Sequence, residues 1–283
     1  MYSRPRLIPC LLIKDQGLVK TTKFAKPRYL GDPINAVKIF NGKGVDELCV
    51  LDIMASLENR GPDFEYLKDI ASEAFMPLSY GGGITRLDQA ERLFFIGYEK
   101  VIVNTAFVRR PELVREMADV AGSQSVVVSI DVKDELFGKR ACYINDGKTR
   151  MNVDPVELAK KAEQMGAGEI LLNSITRDGT MQGYDLRLVK DVVEAVSVPV
   201  IACGGAKDIY DFKRVLHEAG AHAAAAGSLF VYYGPQKAVL ITAPGEEELA
   251  EVGIYHHFPE IDIIGGLDED NLKALSDQEE HAS

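Results

Sequence analysis

"ELCVLDI" at Glu47–Ile53 has a counterpart in "EILLNSI" at Glu169–Ile175, 122 residues further along the chain. Each is a short apolar run opening on a glutamate, the pattern of a strand buried on both faces. The same shift lays Leu67-Lys68-Asp69 on Val189-Lys190-Asp191, Pro77 on Pro199, and Gly82-Gly83 on Gly204-Gly205. It runs without a gap to "NTAF" (Asn104–Phe107) against "AGSL" (Ala226–Leu229). Near the N-terminus the shift is 119, and "LIPCLLIKD" (Leu7–Asp15) falls on "VVVSIDVKD" (Val126–Asp134), setting Leu12 on Asp131. A repeat of this length predicts two half-units, about 5–120 and 121–235, sharing one architecture.

Outward from these runs, β-branched segments alternate with amphipathic ones. Strands are expected at Leu7–Ile13, Glu47–Ile53, Met76–Tyr80, Lys100–Asn104, Ser125–Val132, Glu169–Asn173, Val198–Ala202 and Ala221–Ala225. Between them, "PINAVKIFNGKG" (Pro33–Gly44), "DLRLVKDVVEAV" (Asp185–Val196) and "DIYDFKRVLHEAG" (Asp208–Gly220) open with Pro or Asp, and two of the three close on Gly, as helix ends do. The alternation predicts an α/β fold, a (β/α)8 TIM barrel built from two half-barrels over residues 1–241; a doubly wound sheet is the alternative.

The net charge of −11 belongs to the C-terminus, because 12 acids and a single lysine lie between Thr242 and Ser283. The body is neutral, so phosphate binding is open to it, while the lack of a basic surplus argues against nucleic acid. The acidic extension, 242–283, is expected to be partly disordered or docked on a partner, with a short helix at "DEDNLKAL" (Asp268–Leu275). No apolar run is long enough for membrane insertion and no signal peptide is evident. Four scattered cysteines without a CxxC fit a reduced, cytoplasmic protein. Neither a metal site nor a cofactor is expected: His217 and His222 support no zinc site or catalytic triad.

Barrel enzymes work at the carboxyl ends of their strands. There stand "YGGGI" (Tyr80–Ile84) and "CGGA" (Cys203–Ala206), each followed one unit later by a small polar strand end, Asn104-Thr105 and Gly227-Ser228. Glycine lets backbone N–H groups approach an anion. The symmetric pair of sites, Gly82-Gly83 with Asn104-Thr105 and Gly204-Gly205 with Gly227-Ser228, would hold a small molecule phosphorylated at each end. The plainer reading is that these glycines only permit tight turns.

These stretches, with "GDP" (Gly31–Pro33), "VIVNTA" (Val101–Ala106), "GSQSVVVSID" (Gly122–Asp131), "GAGEILLNSITRDGT" (Gly166–Thr180) and "GYD" (Gly183–Asp185), resemble the cyclase subunit of imidazole glycerol phosphate synthase over residues 5–233. That resemblance implies ring closure using ammonia from a partner glutaminase at the N-terminal barrel face, with two carboxylates as general acid and base. Asp131 matches one carboxylate; the other position holds Leu12, which transfers no proton. Asp15 lies three residues on, too far to replace it. Arg6, Glu47, Lys100 and Glu169 match the family's charged ring that gates ammonia, although such charges also read as a structural salt-bridge layer. Lys20 matches a catalytic lysine on a mobile loop, and otherwise reads as a surface lysine. Asp178-Gly179 reads as a substrate contact or as a simple turn, and Asp52 as a weaker strand-end candidate.

"PCLLIKDQGLVKT" (Pro9–Thr21) and "AGSLFVYYGPQKAVLI" (Ala226–Ile241) are similar to the glycosyl amidation-associated branch of this family. The branch implies ammonia channelling, beside a glutaminase and a separate ATP-dependent sugar amidotransferase, to convert an acetamido to an acetamidino sugar for surface polysaccharide. Three functions are therefore expected, in this order: an ammonia-channelling subunit of sugar amidation, a cyclase of histidine biosynthesis with an altered acid–base pair, and a non-catalytic sensor of phosphorylated ligands or glutaminase activator.

Overall fold

Eight parallel strands close on themselves: β1 (Arg6–Lys14), β2 (Leu48–Asp52), β3 (Leu78–Gly81), β4 (Lys100–Val103), β5 (Val126–Asp134), β6 (Glu169–Ser174), β7 (Val200–Cys203) and β8 (Ala223–Ala226). The computed structural model describes residues 4–255. Each strand pairs with the next, Cys10 beside Cys49 and Asp131 beside Asn173, and β8 returns to β1 with Ala224 beside Leu7. Closure leaves no open edge. The expected (β/α)8 barrel is what forms.

Among the described residues, seven longer helices wrap it: α1 (Pro33–Lys43), α2 (Phe64–Ser72), α3 (Leu87–Phe95), α4 (Glu112–Ala121), α5 (Pro155–Gln164), α6 (Leu186–Val193) and α7 (Ile209–His217). Aspartates cap five of them. Asp32, Asp63, Asp154, Asp185 and Asp208 each accept from a backbone N–H of the first turn, satisfying donors that have no helical partner.

Side-chain alternation divides the interior in two. On β1, Leu7, Leu11 and Ile13 face the helices, whereas Ile8 and Cys10 point into the barrel with Leu12 packed beside them. Cys49, Ile102, Val127, Leu171, Ile201, Cys203, Ala223 and Ala225 complete that inner layer. Between sheet and helices, Phe212 stacks on Phe230 and Phe40 meets Phe230 edge-on.

Two antiparallel hairpins interrupt the alternation, and the sequence reading contains neither. Strands Gly17–Thr22 and Ala25–Gly31 follow β1; Arg140–Ile144 and Thr149–Arg150 follow β5. Their turns place consecutive residues at positive φ, Asp15-Gln16, Lys23-Phe24 and Asn145-Asp146, as tight hairpin turns require. The first two lack the glycine or asparagine that advertises such turns.

After β8 the chain crosses the lower rim. Glu246–Glu251 forms a helical turn whose Leu249 is buried, followed by buried Ile254 and Tyr255. Arg4 lies 3.8 Å from the Tyr255 ring centre, and Tyr255 donates to Asp46 at 2.7 Å. The helix expected at Asp268–Leu275 and the rest of the acidic tail lie outside the described residues. Among those described, no helix is long and apolar enough to cross a membrane.

Candidate functional site

The carboxyl ends of the strands surround one cavity, into which Leu12, Lys20, Asp131, Asn173, Asp178 and both glycine clusters open. Asp131 sits on β5 at its centre, 8 % exposed, and Ser129 Oγ donates to its Oδ1 at 3.1 Å. Burial pushes the Asp131 carboxyl up to about 7; the Ser129 hydrogen bond opposes this, and the negative Asp146 and Asp178 add to it. Leu12 packs beside Leu51 on the adjacent strand, so the position opposite in the repeat is apolar packing surface. Asp15 stands beyond the strand end in an exposed turn, away from the cavity lining.

Lys20 is not on a free loop. It belongs to the Gly17–Thr22 strand, is 5 % exposed, and donates to Asp178 Oδ1 at 2.8 Å and to the Thr21 carbonyl at 3.1 Å. Thr21 Oγ1 donates to the other Asp178 oxygen at 3.1 Å. These bonds dock the first hairpin on the turn after β6. Gly179 has φ +69°, and a Cβ there would collide with the Thr21 carbonyl, so the glycine serves this docking. Asp52 is likewise absorbed locally, gripped by Arg60 through bonds of 2.8 and 3.0 Å.

The two cradles are not equivalent. Gly82, Gly83, Gly204 and Gly205 all have positive φ, and a Cβ at any of them would meet neighbouring backbone. Thr105 Oγ1 accepts from Asn145 N at 3.0 Å and donates to Asn104 Oδ1 at 3.3 Å; Asn104 Nδ2 donates to the Ser129 carbonyl at 3.0 Å. That side is committed to holding the second hairpin. On the other side Ser228 Oγ is buried with no hydrogen-bond partner, at the start of the Ser228–Val231 turn behind Gly227. An unpaired buried hydroxyl costs stability unless a ligand engages it.

Sequence reasoning passed over two residues here. Asn173, 6 % exposed, presents an unpartnered Oδ1 beside Asp131. Asp146, at the tip of the second hairpin, also lines the cavity, and burial raises its carboxyl to about 6. Asn173 could have been found as the partner of Leu51 in the repeat; Asp146, in an Asn-Asp-Gly turn, carries no signal beyond the turn.

At the opposite end, Arg6 contacts Glu47 and Glu169, and Lys100 Nζ reaches Glu47 at 2.8 Å and Glu169 at 2.9 Å. The four charges form a closed, alternating ring across the floor. Glu47 is nearly inaccessible, and Lys100 and Glu169 open onto a surface groove with Phe94, Tyr98, Val120 and Pro199. His217 and His222 are structural, contacting the Gly253 carbonyl and the Val200 N–H.

A closed eight-stranded barrel with a polar mouth above an apolar interior and a charged floor defines the class of ligand-binding (β/α)8 proteins. The pattern of the histidine biosynthesis protein family matches residues 6–236, and the chain belongs to that family. It is 50 % identical over 246 residues to a Pseudomonas aeruginosa protein named "Putative imidazole glycerol phosphate synthase subunit hisF2", covering 87 % of this chain and 98 % of that one. A Leptospira interrogans relative named as a HisF subunit of the same synthase is 48 % identical over 87 % of this chain and 97 % of its own. A Vibrio vulnificus relative, named hisF3 of that synthase, is 46 % identical over 87 % and 95 %. These names speak for a synthase subunit of the HisF type, the second of the three expected functions. None of them mentions sugar amidation.

Proposed function

We propose that this chain is the ammonia-using barrel subunit of a glutamine-dependent synthase of the imidazole glycerol phosphate type. In this reading a ligand with a phosphate at each end spans the mouth, and Asp131 moves a proton at its centre. The observation that carries it is Asp131 itself, a buried carboxyl held near neutrality between the two glycine cradles. A group poised close to ambient pH gives and takes protons efficiently. Ser228 Oγ, the Gly204-Gly205 turn and Gly227 receive one phosphate; Gly82-Gly83 with the Asn104-Thr105 backbone receive the other. Lys20, paired with Asp178, places positive charge at the mouth.

Ammonia would enter from a glutaminase docked on the N-terminal face, where Phe75 and Phe95 stand about nine-tenths exposed. Passage requires the ring of Arg6, Glu47, Lys100 and Glu169 to part. The apolar layer above then admits neutral ammonia and rejects ammonium, whose charge cannot be desolvated there.

Leu12 favours a second reading, in which the barrel hands ammonia to a separate ATP-using sugar amidotransferase. One assay separates them: purified protein with ammonium and the synthase's cyclase substrate, with imidazole glycerol phosphate measured. Turnover by the wild type supports the first reading. Turnover only after Leu12→Asp supports the second.

A further inference from the structure

Leu12 leaves the mouth one proton-transferring side chain short of a pair, and the second hairpin brings a carboxylate over the same cavity. Asp146 lines the mouth with Asp131 and Asn173. Its position is fixed from three sides. The hairpin pairs with β5 through Tyr143 beside Asp131, Thr105 Oγ1 accepts from Asn145 N, and Asn104 Nδ2 approaches the Tyr143 carbonyl at 3.4 Å. Asn145 and Asp146 both adopt φ 53°, so the turn itself is tight and left-handed. Beside the two carboxylates, Asn173 Oδ1 is a buried acceptor without a donor. The centre of the mouth thus offers acceptors in excess of donors, which suits a ligand nitrogen bearing hydrogens.

We propose that Asp146 is the second proton-transfer residue of this mouth, acting with Asp131 on the adduct formed when ammonia adds to a carbonyl of a phosphate-ended ligand. The assignment rests on the ammonia-using reading above. As the C–N bond forms, the carbonyl π pair moves to oxygen, which takes the proton of the Asp131 carboxylic acid. The cationic nitrogen gives one proton to the Asp146 carboxylate while Asn173 Oδ1 accepts a hydrogen bond from it. The pair holds the same number of protons before and after. Burial raises both carboxyls, Asp131 to about 7 and Asp146 to about 6; the more deeply buried Asp131 is the acid and Asp146, at the hairpin tip, the base, with Asp178 acting on both and Lys148 on Asp146.

Asp146→Asn tests this in the full chain, because asparagine keeps the left-handed turn. In carbon-13 carboxyl NMR, Asp131 should titrate at lower pH in D146N than in the wild type, since a negative neighbour is gone. With ammonium and the cyclase substrate, kcat should fall by roughly 10²–10⁴ with KM little changed, and one limb of the pH profile should disappear. A turn-only role would leave kcat and both limbs intact, and that result overturns the proposal. An Asp131 titration identical in the two proteins overturns it as well, whatever the turnover. If the wild type shows no turnover while Asp131 does shift, the cyclase reading falls and the coupled pair stands.

Discussion

Position 131 concentrates the consequences of burial on one side chain. A carboxyl whose pKa is raised from about 3.9 unfolded to about 7 folded is stabilising when protonated, below the unfolded value, and that contribution drains away as pH climbs through 7. Asp131→Asn removes the cost of ionisation, so its melting temperature should exceed that of the wild type at pH 8 by more than at pH 5. The differential should be on the order of a few kcal/mol, read by thermal melts at the two pH values. A pH-independent difference would place the carboxyl in water. Ser228 supplies a second expectation: Ser228→Ala deletes a charge-assisted hydrogen bond to a bound phosphate, worth about 1.5–3 kcal/mol, so calorimetric affinity for a sugar phosphate should drop at least tenfold with little loss of stability. Unchanged affinity would remove Ser228 from the phosphate site. The repeat made Asp131 and the leucine opposite it legible, because matching strands put matching positions in the mouth. Asp146 stayed hidden, since an aspartate before glycine spells a turn whether or not its side chain faces a cavity.

Strands and helices were legible because burial on both faces imposes continuous apolar runs and because aspartate caps mark helix starts. Neither hairpin was. Residues 25–31 carry two Lys/Arg, a proline and an exposed tyrosine, and their pairing comes from the docking of Lys20 and Thr21 on Asp178, a contact between residues more than 150 apart in sequence. The glycine turns also mean more than a ligand cradle: a Cβ on Gly205 would collide with the Gly183 carbonyl, so a valine there would disturb two βα loops and is no clean probe of binding. At the floor, Glu47 serves two cations at once. Glu47→Gln leaves Arg6 and Lys100 sharing only Glu169, and loss of one partner from so buried a network should cost about 3 kcal/mol in chemical denaturation. A neutral outcome would mean that water already reaches the ring.

Across the whole molecule, the two ends of the barrel differ in chemistry along one axis: ion pairs at the floor, an inner layer of aliphatic and cysteine side chains, then carboxylates, amide and glycine turns at the mouth. The closed topology was readable from the repeat, which also leads us to propose that β1–β4 and β5–β8 superimpose as half-barrels. The packing of Leu249, Ile254 and Tyr255 on the lower rim was not, for their apolar residues are scattered among acids with no periodicity. In the proposed function the mouth joins ammonia to a doubly phosphorylated ligand. That reaction is tested most directly by the rate of imidazole glycerol phosphate formation by the wild-type chain, from the cyclase substrate and ammonium, across pH 6–9. At each pH, turnover should saturate with substrate and rise with the concentration of neutral ammonia. Absence of product from the wild type at every ammonium concentration would contradict it.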